Sequence, residues 1–113
     1  MPQSKIRIAL EPAIRRVMHT YWRFARGMTL GARGLVIDAQ GRVFLVKHGY
    51  VSGWHLPGGG VETGESALEA LRREVREEGN IEIGAQPQLF GFYSNRHVSR
   101  RDHVALYVVR DFR

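Results

Sequence analysis

Three glutamates near the middle of the chain have a spacing that could hold a metal ion. Glu74, Glu77 and Glu78 stand at positions i, i+3 and i+4, so on a helix their carboxylates project from one face with Cβ atoms about 5–6 Å apart. Mg²⁺ and Mn²⁺ prefer such oxygen ligands, and Mg²⁺ commonly bridges carboxylates to substrate phosphates. The same spacing also occurs on a solvated acidic face, and taken alone it favours that simpler interpretation.

The distribution of charge favours a site for an ion. The chain carries a formal net charge of +6, but residues 62–82 contain seven glutamates against three arginines. Residues 1–33 contain seven lysines or arginines and one glutamate. A short acidic stretch in a basic protein predicts a place for cations, surrounded by surface that attracts an anion. A divalent metal and a phosphate-bearing substrate fit this pattern.

Composition excludes several classes of protein. The 113 residues include no cysteine, which rules out disulfide scaffolds, cysteine-ligated zinc, iron–sulfur clusters and thiol nucleophiles. No apolar run approaches the roughly 20 residues that cross a bilayer, so we predict no membrane span and a cytoplasmic location. With 43% hydrophobic and 25% charged residues, one folded domain is expected.

A helix should position the three glutamates. Ser66 is a good N-cap with Glu69 three residues later, the pattern of a capping box. Gly79 and Asn80 tolerate the left-handed conformation that is common just past a helix. The apolar stripe between these signals consists of Ala67, Leu68, Ala70, Leu71 and Val75.

Strands should surround this helix. We predict strands at 35–37, 43–46, 89–93 and 104–109, with a shorter extended piece at 54–56. A hairpin turn at 38–41 joins the first two strands. The sequence predicts a turn at 31–34, and the three successive glycines at 58–60 should break regular structure.

We predict that residues 1–28 form a separate helical segment, which precedes a domain at 29–113. From Glu11 to Arg26 a helical repeat is formed by Ile14, Val17, Met18, Tyr21, Trp22 and Ala25. Pro12 suits the first turn of this basic amphipathic helix. We expect its apolar stripe to pack on the domain or on a partner subunit, which would make a homodimer. RNA or an anionic membrane surface is the alternative partner.

The residues around the glutamates resemble the signature of the Nudix hydrolases. That signature is a Gly, five residues, a Glu, seven residues, and then Arg-Glu-aliphatic-any-Glu-Glu-any-Gly-aliphatic. In this chain it spans 59–81, with Gly59, Glu65, Arg73, Glu74, Val75, Glu77, Glu78 and Ile81 in the specified places. Asn80 replaces the second Gly and tolerates the same turn. The resemblance extends over roughly 29–112.

The resemblance implies an α/β (α+β) fold. In that fold an α/β/α sandwich encloses a mixed sheet, and a loop–helix–loop motif holds Mg²⁺ (or Mn²⁺). Because the chain stops at Arg113 directly after a strand, we expect its C-terminal part to be missing.

The resemblance also implies roles for individual residues. The metal ligands would be Glu74, Glu77, Glu78 and the carbonyl of Gly59. The catalytic residues would be Glu74, Glu78 and Arg73, with either carboxylate accepting a proton from the attacking water. Glu65 and Arg73 would form a structural ion pair between loop and helix. His55 beside the loop, Tyr93 as a ring that could stack on a base, and Arg96 in a basic loop are candidate substrate-binding residues.

The implied function is hydrolysis of the pyrophosphate linkage of a nucleoside diphosphate linked to another moiety. The partner would then be a nucleotide-type small molecule. Two alternatives stay open. One is a nucleotide-sensing or regulatory module with little catalysis that works through the basic helix. The other is a pyrophosphohydrolase of RNA 5′ ends, with the arginine-rich helix as an RNA clamp.

Overall fold

The structure, a computed structural model, describes residues 5–25, 27–49 and 52–113, without the side chains of 5–8, 23 and 24. Tyr50, a further candidate for stacking on a base, and Arg26, the predicted end of the first helix, lie outside this part. Within it, the order of elements is α1 (Lys5–Ala25), β1 (Thr29–Val36), β2 (Gly58–Gly60), α2 (Ala67–Gly79), β3 (Gln88–Ser94) and β4 (Asp102–Val109).

The four strands form one mixed sheet in the order β2-β1-β4-β3. β1 runs parallel to β4, with Ala32 opposite Ala105. β2 is antiparallel to β1, and β3 is antiparallel to β4 with a register shift between Leu89 and Gly91. The predicted mixed sheet is confirmed, as are the predicted strands at 89–93 and 104–109.

β1 begins earlier than predicted, and the predicted turn at 31–34 is wrong. These residues lie inside the strand, where Ala32, Gly34 and Val36 are buried. A Cβ atom added to Gly34 would lie 3.0 Å from the side chain of Leu71. The glycine therefore serves close packing of α2 on the sheet rather than a change of chain direction.

The glycines at 58–60 form a strand as well, which corrects the prediction that they break regular structure. Gly58 has a φ of +146°, and a Cβ atom there would collide with the carbonyl of Ala32 and approach the Cα of Arg33 to 2.8 Å. An L side chain rarely adopts this backbone conformation. Only glycine lets β2 pair with β1 at this distance.

The predicted strand at 43–46 and the extended piece at 54–56 are reduced to single bridges. Val43 pairs with Ile37, and Val46 pairs with His55. The predicted hairpin turn at 38–41 is present, because the carboxylate of Asp38 accepts the backbone N–H groups of Gln40 and Arg42 at 2.9 and 2.8 Å.

α2 forms as predicted and covers one face of the sheet. The hydroxyl of Ser66 accepts the N–H of Glu69 at 3.0 Å, and Asn80 has the left-handed φ of 51°. The core consists of Ala32, Val36, Ala70, Leu71, Val75, Ile83 and Val109. The loop–helix–loop and the mixed sheet of the implied sandwich are thus present, with one helix layer on the sheet in the described part of the chain.

α1 begins at Lys5, so the predicted start near Glu11 is wrong and Pro12 lies inside the helix. Its apolar stripe does not pack on the domain, since the side chains of Val17 and Tyr21 are 68% and 65% exposed. Packing against a partner subunit stays a prediction. The molecule measures 68 × 31 × 22 Å because this helix extends away from the sheet. None of the helices in the described residues is long and apolar enough to cross a membrane.

Candidate active site

A cleft of about 390 Å³ lies where β2 passes α2. It is lined by Arg33, His48, His55, Gly58, Gly59, Glu74 and Glu78. Two of the three predicted metal-binding carboxylates and the predicted substrate-binding residue His55 therefore share one cavity. The 3.6-residue period of α2 places Glu74 and Glu78 one turn apart on the side of the helix that faces β2.

Glu78 accepts a hydrogen bond at only one of its two carboxylate oxygens in the described part of the chain. Its Oε1 atom accepts the backbone N–H of Gly58 at 3.1 Å. Its Oε2 atom is buried without a hydrogen-bond partner in the described part of the chain, and Nε2 of His48 lies 3.6 Å away. Burial raises the pKa of the Glu78 carboxyl above its usual range, and the adjacent Glu74 adds to this, while the Gly58 N–H and His48 oppose it.

Glu74 occupies a space that only a glycine leaves open. Its Oε1 atom accepts a hydrogen bond from Nη1 of Arg73 at 2.9 Å. A Cβ atom added to Gly59 would lie 2.5 Å from the same oxygen. The carbonyl oxygen of Gly59 is on the β1 side, 3.5 Å from the place of a Cβ on Gly31. The Cβ position of Gly59 thus faces Glu74, and its carbonyl as a metal ligand stays a prediction.

Glu77 does not join the other two carboxylates. Its side chain is 60% exposed, and its Oε2 atom lies 3.6 Å from Nη1 of Arg73. Among the residues that the structure describes, no three Asp, Glu or His side chains lie close enough together to hold an ion. A role of Glu77 as the third metal ligand therefore stays a prediction.

The residues at the cleft fit a divalent ion of the Mg²⁺ type. Two neighbouring carboxylates, one with a buried oxygen that lacks a partner, repel each other unless a cation or a proton neutralises them. Mg²⁺ is usually held by one or two carboxylates, and waters and substrate phosphates complete its shell. Glu74 and Glu78 supply that number of ligands.

Arg73 connects the loop before α2 to the helix. Its guanidinium donates from Nε and Nη2 to the two carboxylate oxygens of Glu65, at 2.9 and 3.0 Å, and from Nη2 to the carbonyl of Gly60 at 3.2 Å. The hydrogen bonds from Arg73 lower the pKa of Glu65 to about 2, and Glu65 raises the pKa of Arg73 further above its usual range. Because Arg73 also donates to Glu74, this pair fixes the position of a cleft carboxylate.

The candidate substrate-binding residues are not gathered in one place. His55 lines the cleft, with its Nε2 atom 3.1 Å from the carbonyl of Ser52. Tyr93 on β3 and Arg96 in the following loop are exposed and do not line it. Trp54, next to His55 in the sequence, is 64% exposed with the ammonium of Lys47 5.8 Å from its ring centroid, and it does not line the cleft.

Arg33 and His48 also line the cleft, although the sequence did not predict them as site residues. Arg33 reaches the cleft because β1 pairs with β2, and His48 follows the bridge between Val46 and His55. The spacing of a sequence motif does not show such contacts. One signal was available for Arg33, because it is the only charged residue in the otherwise small and apolar run at 30–37. A charged side chain inside a half-buried strand usually has a specific partner or a function.

The sequence of this chain is similar to those of known proteins. A family model described as "NUDIX domain" matches residues 27–112. The chain is 48% identical over 76 residues to a putative 8-oxo-dGTP diphosphatase of Bacillus subtilis, covering 67% of this chain and 50% of the relative. It is 41% identical over 54 residues to an RNA pyrophosphohydrolase of Francisella tularensis, covering 48% and 32%. The chain thus spans half or less of these curated relatives.

Solved structures share the fold. A chain from a study of MutT from Aliivibrio salmonicida and Vibrio cholerae aligns with a TM-score of 0.62 at 27% identity, over 74% of this chain and 64% of that one. The ORF135 protein of E. coli gives 0.62 at 27% identity, over 75% and 62%. A MutT NUDIX hydrolase from Burkholderia pseudomallei gives 0.65 at 23% identity, over 75% and 68%. These likenesses confirm the predicted α+β architecture.

Proposed function

This chain belongs to the NUDIX domain family, and from that membership we propose that it hydrolyses the pyrophosphate linkage of a nucleoside diphosphate linked to another moiety. Glu74 and Glu78 hold Mg²⁺ or Mn²⁺ in the cleft, and Glu77 and the carbonyl of Gly59 are the proposed additional ligands. The observation that carries this proposal is the buried Oε2 atom of Glu78, which has no hydrogen-bond partner in the described residues and lies beside a second carboxylate.

The residues of the cleft have separate tasks in this reaction. A bound divalent ion neutralises charge on phosphate oxygens and lowers the pKa of a coordinated water. Either Glu74 or Glu78 accepts the proton that the attacking water loses. Arg73 keeps Glu74 in place through its 2.9 Å hydrogen bond and ties that carboxylate to the loop through Glu65. His55 contacts the substrate at the wall of the cleft.

Tyr93 and Arg96 would bind only a substrate that is long enough to extend beyond the cleft. Both lie outside the cleft, so they would bind parts of the substrate that extend beyond the diphosphate. The name of the Bacillus relative, an 8-oxo-dGTP diphosphatase, supports a nucleoside phosphate as the substrate class.

The direct test is a panel of nucleoside diphosphate derivatives and nucleoside triphosphates with Mg²⁺ or Mn²⁺. Phosphorus NMR in ¹⁸O-labelled water should show cleavage between two phosphates, with the label in one product. The activity should disappear when EDTA removes the metal. A wild-type protein that binds these nucleotides but releases no phosphate product would instead be a nucleotide-sensing module.

A second candidate substrate is the 5′ end of RNA. Relatives named RNA pyrophosphohydrolase and the exposed arginines at 96, 100 and 101 support it. Phosphate contacts with a nucleic acid make affinity fall steeply with salt. We therefore expect RNA binding to weaken about tenfold or more between 50 and 200 mM salt if three or more phosphates are contacted. Binding that does not change with salt would remove RNA from the candidates.

A further inference from the structure

Arg33 stands where two cavities meet. The cleft with Glu74 and Glu78 is one of them. The other has a volume of about 580 Å³ and lies between β1, the loop after β2 and the loop before β4. Arg33 and Gly59 line both. A ligand that fills the two cavities at once would therefore lie against Arg33 and Gly59.

The guanidinium is oriented by the backbone and keeps donors available. Nη1 donates to the carbonyl oxygens of Leu56 and Gly58 at 2.9 and 3.3 Å. A guanidinium has five N–H donors in a rigid plane, so these two bonds fix the direction of the other three. Within the described residues, Nε and Nη2 of Arg33 have no acceptor.

The charge of Arg33 also lacks a counter-ion. Glu74 and Glu78 line the same cleft, but in the described part of the chain Arg33 forms no ion pair with either of them. A divalent ion held by the two carboxylates would be neutralised by them, so the cleft would keep the positive charge of Arg33. An anion such as a phosphate group would balance that charge.

We propose that Arg33 binds a phosphate oxygen of the substrate at the junction of the two cavities. This inference rests on the proposed function and specifies the orientation of its substrate. The phosphates extend from Arg33 towards Glu74 and Glu78, and the organic group occupies the larger cavity. The planar fork of an arginine matches phosphate oxygens, and its bonds to them are charge-assisted.

The lining of the larger cavity agrees with an organic group rather than more phosphate. Its apolar surface comes from side chains such as Leu30, Val61 and Val104. Its polar end holds the carboxylate of Asp102, which accepts hydrogen bonds from the hydroxyl of Thr29 at 2.6 Å and from the amide of Asn95 at 2.9 Å. These hydrogen bonds, that of Thr29 foremost, lower the pKa of Asp102. The wall is thus anionic there and suits N–H or O–H donors of a base or sugar.

The test measures binding of the non-hydrolysable probe α,β-methylene-ADP by calorimetry in the presence of Mg²⁺. Arg33→Met keeps the length of the side chain and removes its charge, and we expect about 10- to 100-fold weaker binding. Arg33→Lys keeps the charge without the fork and should fall between wild type and Arg33→Met. Arg42→Met removes a 77% exposed guanidinium away from both cavities and should bind as wild type does.

Binding of Mn²⁺ without nucleotide separates a phosphate contact from a structural role. If Arg33 contacts phosphate, Arg33→Met and Arg33→Lys retain the Mn²⁺ affinity of the wild type. An equal loss of Mn²⁺ and probe affinity would mean that Arg33 only holds the 56–58 loop, and would overturn the inference. Equal probe affinity in wild type and Arg33→Met would overturn it too, as would a wild type that does not bind the probe.

Failure of this inference can be distinguished from failure of the proposed function. Probe binding that depends on Arg33, together with no hydrolysis of any compound in the substrate panel, would support the phosphate site and reject the hydrolase. Hydrolysis with equal KM in wild type and Arg33→Met would support the hydrolase and reject the phosphate site. If Arg33→Met fails to fold, as judged by circular dichroism, Arg33→Lys decides by the same criteria.

Discussion

Glu78 is a carboxylate that the fold buries without satisfying it. Its Oε2 atom has no hydrogen-bond partner in the described residues, and Glu74 lies beside it. A buried polar atom without a partner costs about 1–3 kcal/mol. Such a cost is typical of positions where a ligand supplies the missing interaction. If Glu78 holds a metal as proposed, it does so at the expense of the stability of the metal-free fold.

Replacing Glu78 with Gln should stabilise the metal-free protein at pH 8 and reduce hydrolysis at least about 100-fold, because a metal ligand is lost. Gln keeps an oxygen for the N–H of Gly58 and removes the charge beside Glu74. Folding raises the pKa of Glu78 above its ordinary value of about 4.5. The free energy of unfolding of the wild type therefore falls as pH rises from about 4.5 through the pKa of the folded protein. Urea unfolding with EDTA at several pH values would measure the difference.

The control for this substitution is Glu82→Gln, which changes an exposed glutamate outside the cleft. It should alter neither turnover nor the pH dependence of unfolding. A Glu78→Gln protein that is less stable than the wild type at pH 8, or that keeps its turnover, would show that Glu78 is an ordinary structural residue.

Adding one methyl group at Gly59 should impair the site and spare the fold. The new Cβ atom would lie 2.5 Å from Oε1 of Glu74, which is the far end of a flexible side chain and can move away. We expect Gly59→Ala to change the free energy of unfolding by less than about 1 kcal/mol and to lower kcat at least about tenfold. Thermal unfolding and steady-state kinetics on one preparation would measure both.

Gly58→Ala provides the contrast. At φ +146° and against the backbone of Ala32, the new Cβ has no flexible neighbour that can yield, so the fold itself should lose about 1–3 kcal/mol or more. Equal loss of stability in Gly58→Ala and Gly59→Ala would contradict the distinction drawn between the two glycines.

At the scale of elements, local signals were predictable and long-range packing was not. The start and end of α2 follow from Ser66 and Asn80, whose side chain or backbone acts within a few residues. The roles of Gly34 and Gly58 were predicted wrongly. The atoms that require a glycine at these positions belong to Leu71 and Ala32, which are far away in the sequence. The sequence resemblance located the carboxylates, but only strand pairing brings Arg33 beside them.

The ion pair between Glu65 and Arg73 connects the loop to α2, and its contribution should depend on pH. Folding lowers the pKa of Glu65 from about 4.5 to about 2. The stabilisation is therefore complete above about pH 4.5 and disappears as pH falls towards 2. We expect Glu65→Gln to be less stable than wild type at pH 7, with a difference that narrows below pH 4.5 in urea unfolding.

Glu62→Gln is the matched control, because Glu62 is 73% exposed and lies 3.8 Å from Arg73. Exposed pairs of this kind contribute little, so its unfolding curve should follow that of the wild type. A Glu65→Gln protein whose deficit is the same at pH 7 and at pH 3 would mean that packing, rather than charge, holds the loop.

At the scale of the whole molecule, the described part of α1 contributes no residue to the hydrophobic core. The core residues all come from the sheet, α2 and the segment after it. The apolar stripe of α1 is exposed along its length. Periodicity predicted that a helix forms here but placed its start six residues too late. It could not show whether the apolar stripe would find a neighbour within the same chain.

Deleting residues 1–25 should leave the domain folded. We expect its melting temperature to change by less than about 4 °C, which corresponds to less than roughly 1 kcal/mol for a domain of this size. Hydrolysis of small nucleotides should persist. Differential scanning calorimetry of both proteins would measure the change. A large drop in melting temperature would show that α1 packs on the domain in solution.

We propose that Glu74 and Glu78 hold the divalent ion at which a pyrophosphate linkage is cleaved. Crystals grown with Mn²⁺ and α,β-methylene-ADP would test it most directly through anomalous diffraction. We predict an anomalous peak within coordination distance of both carboxylates, and its absence in the Glu78→Gln variant. A cleft without manganese, or a peak confined to other carboxylates, would contradict the claim.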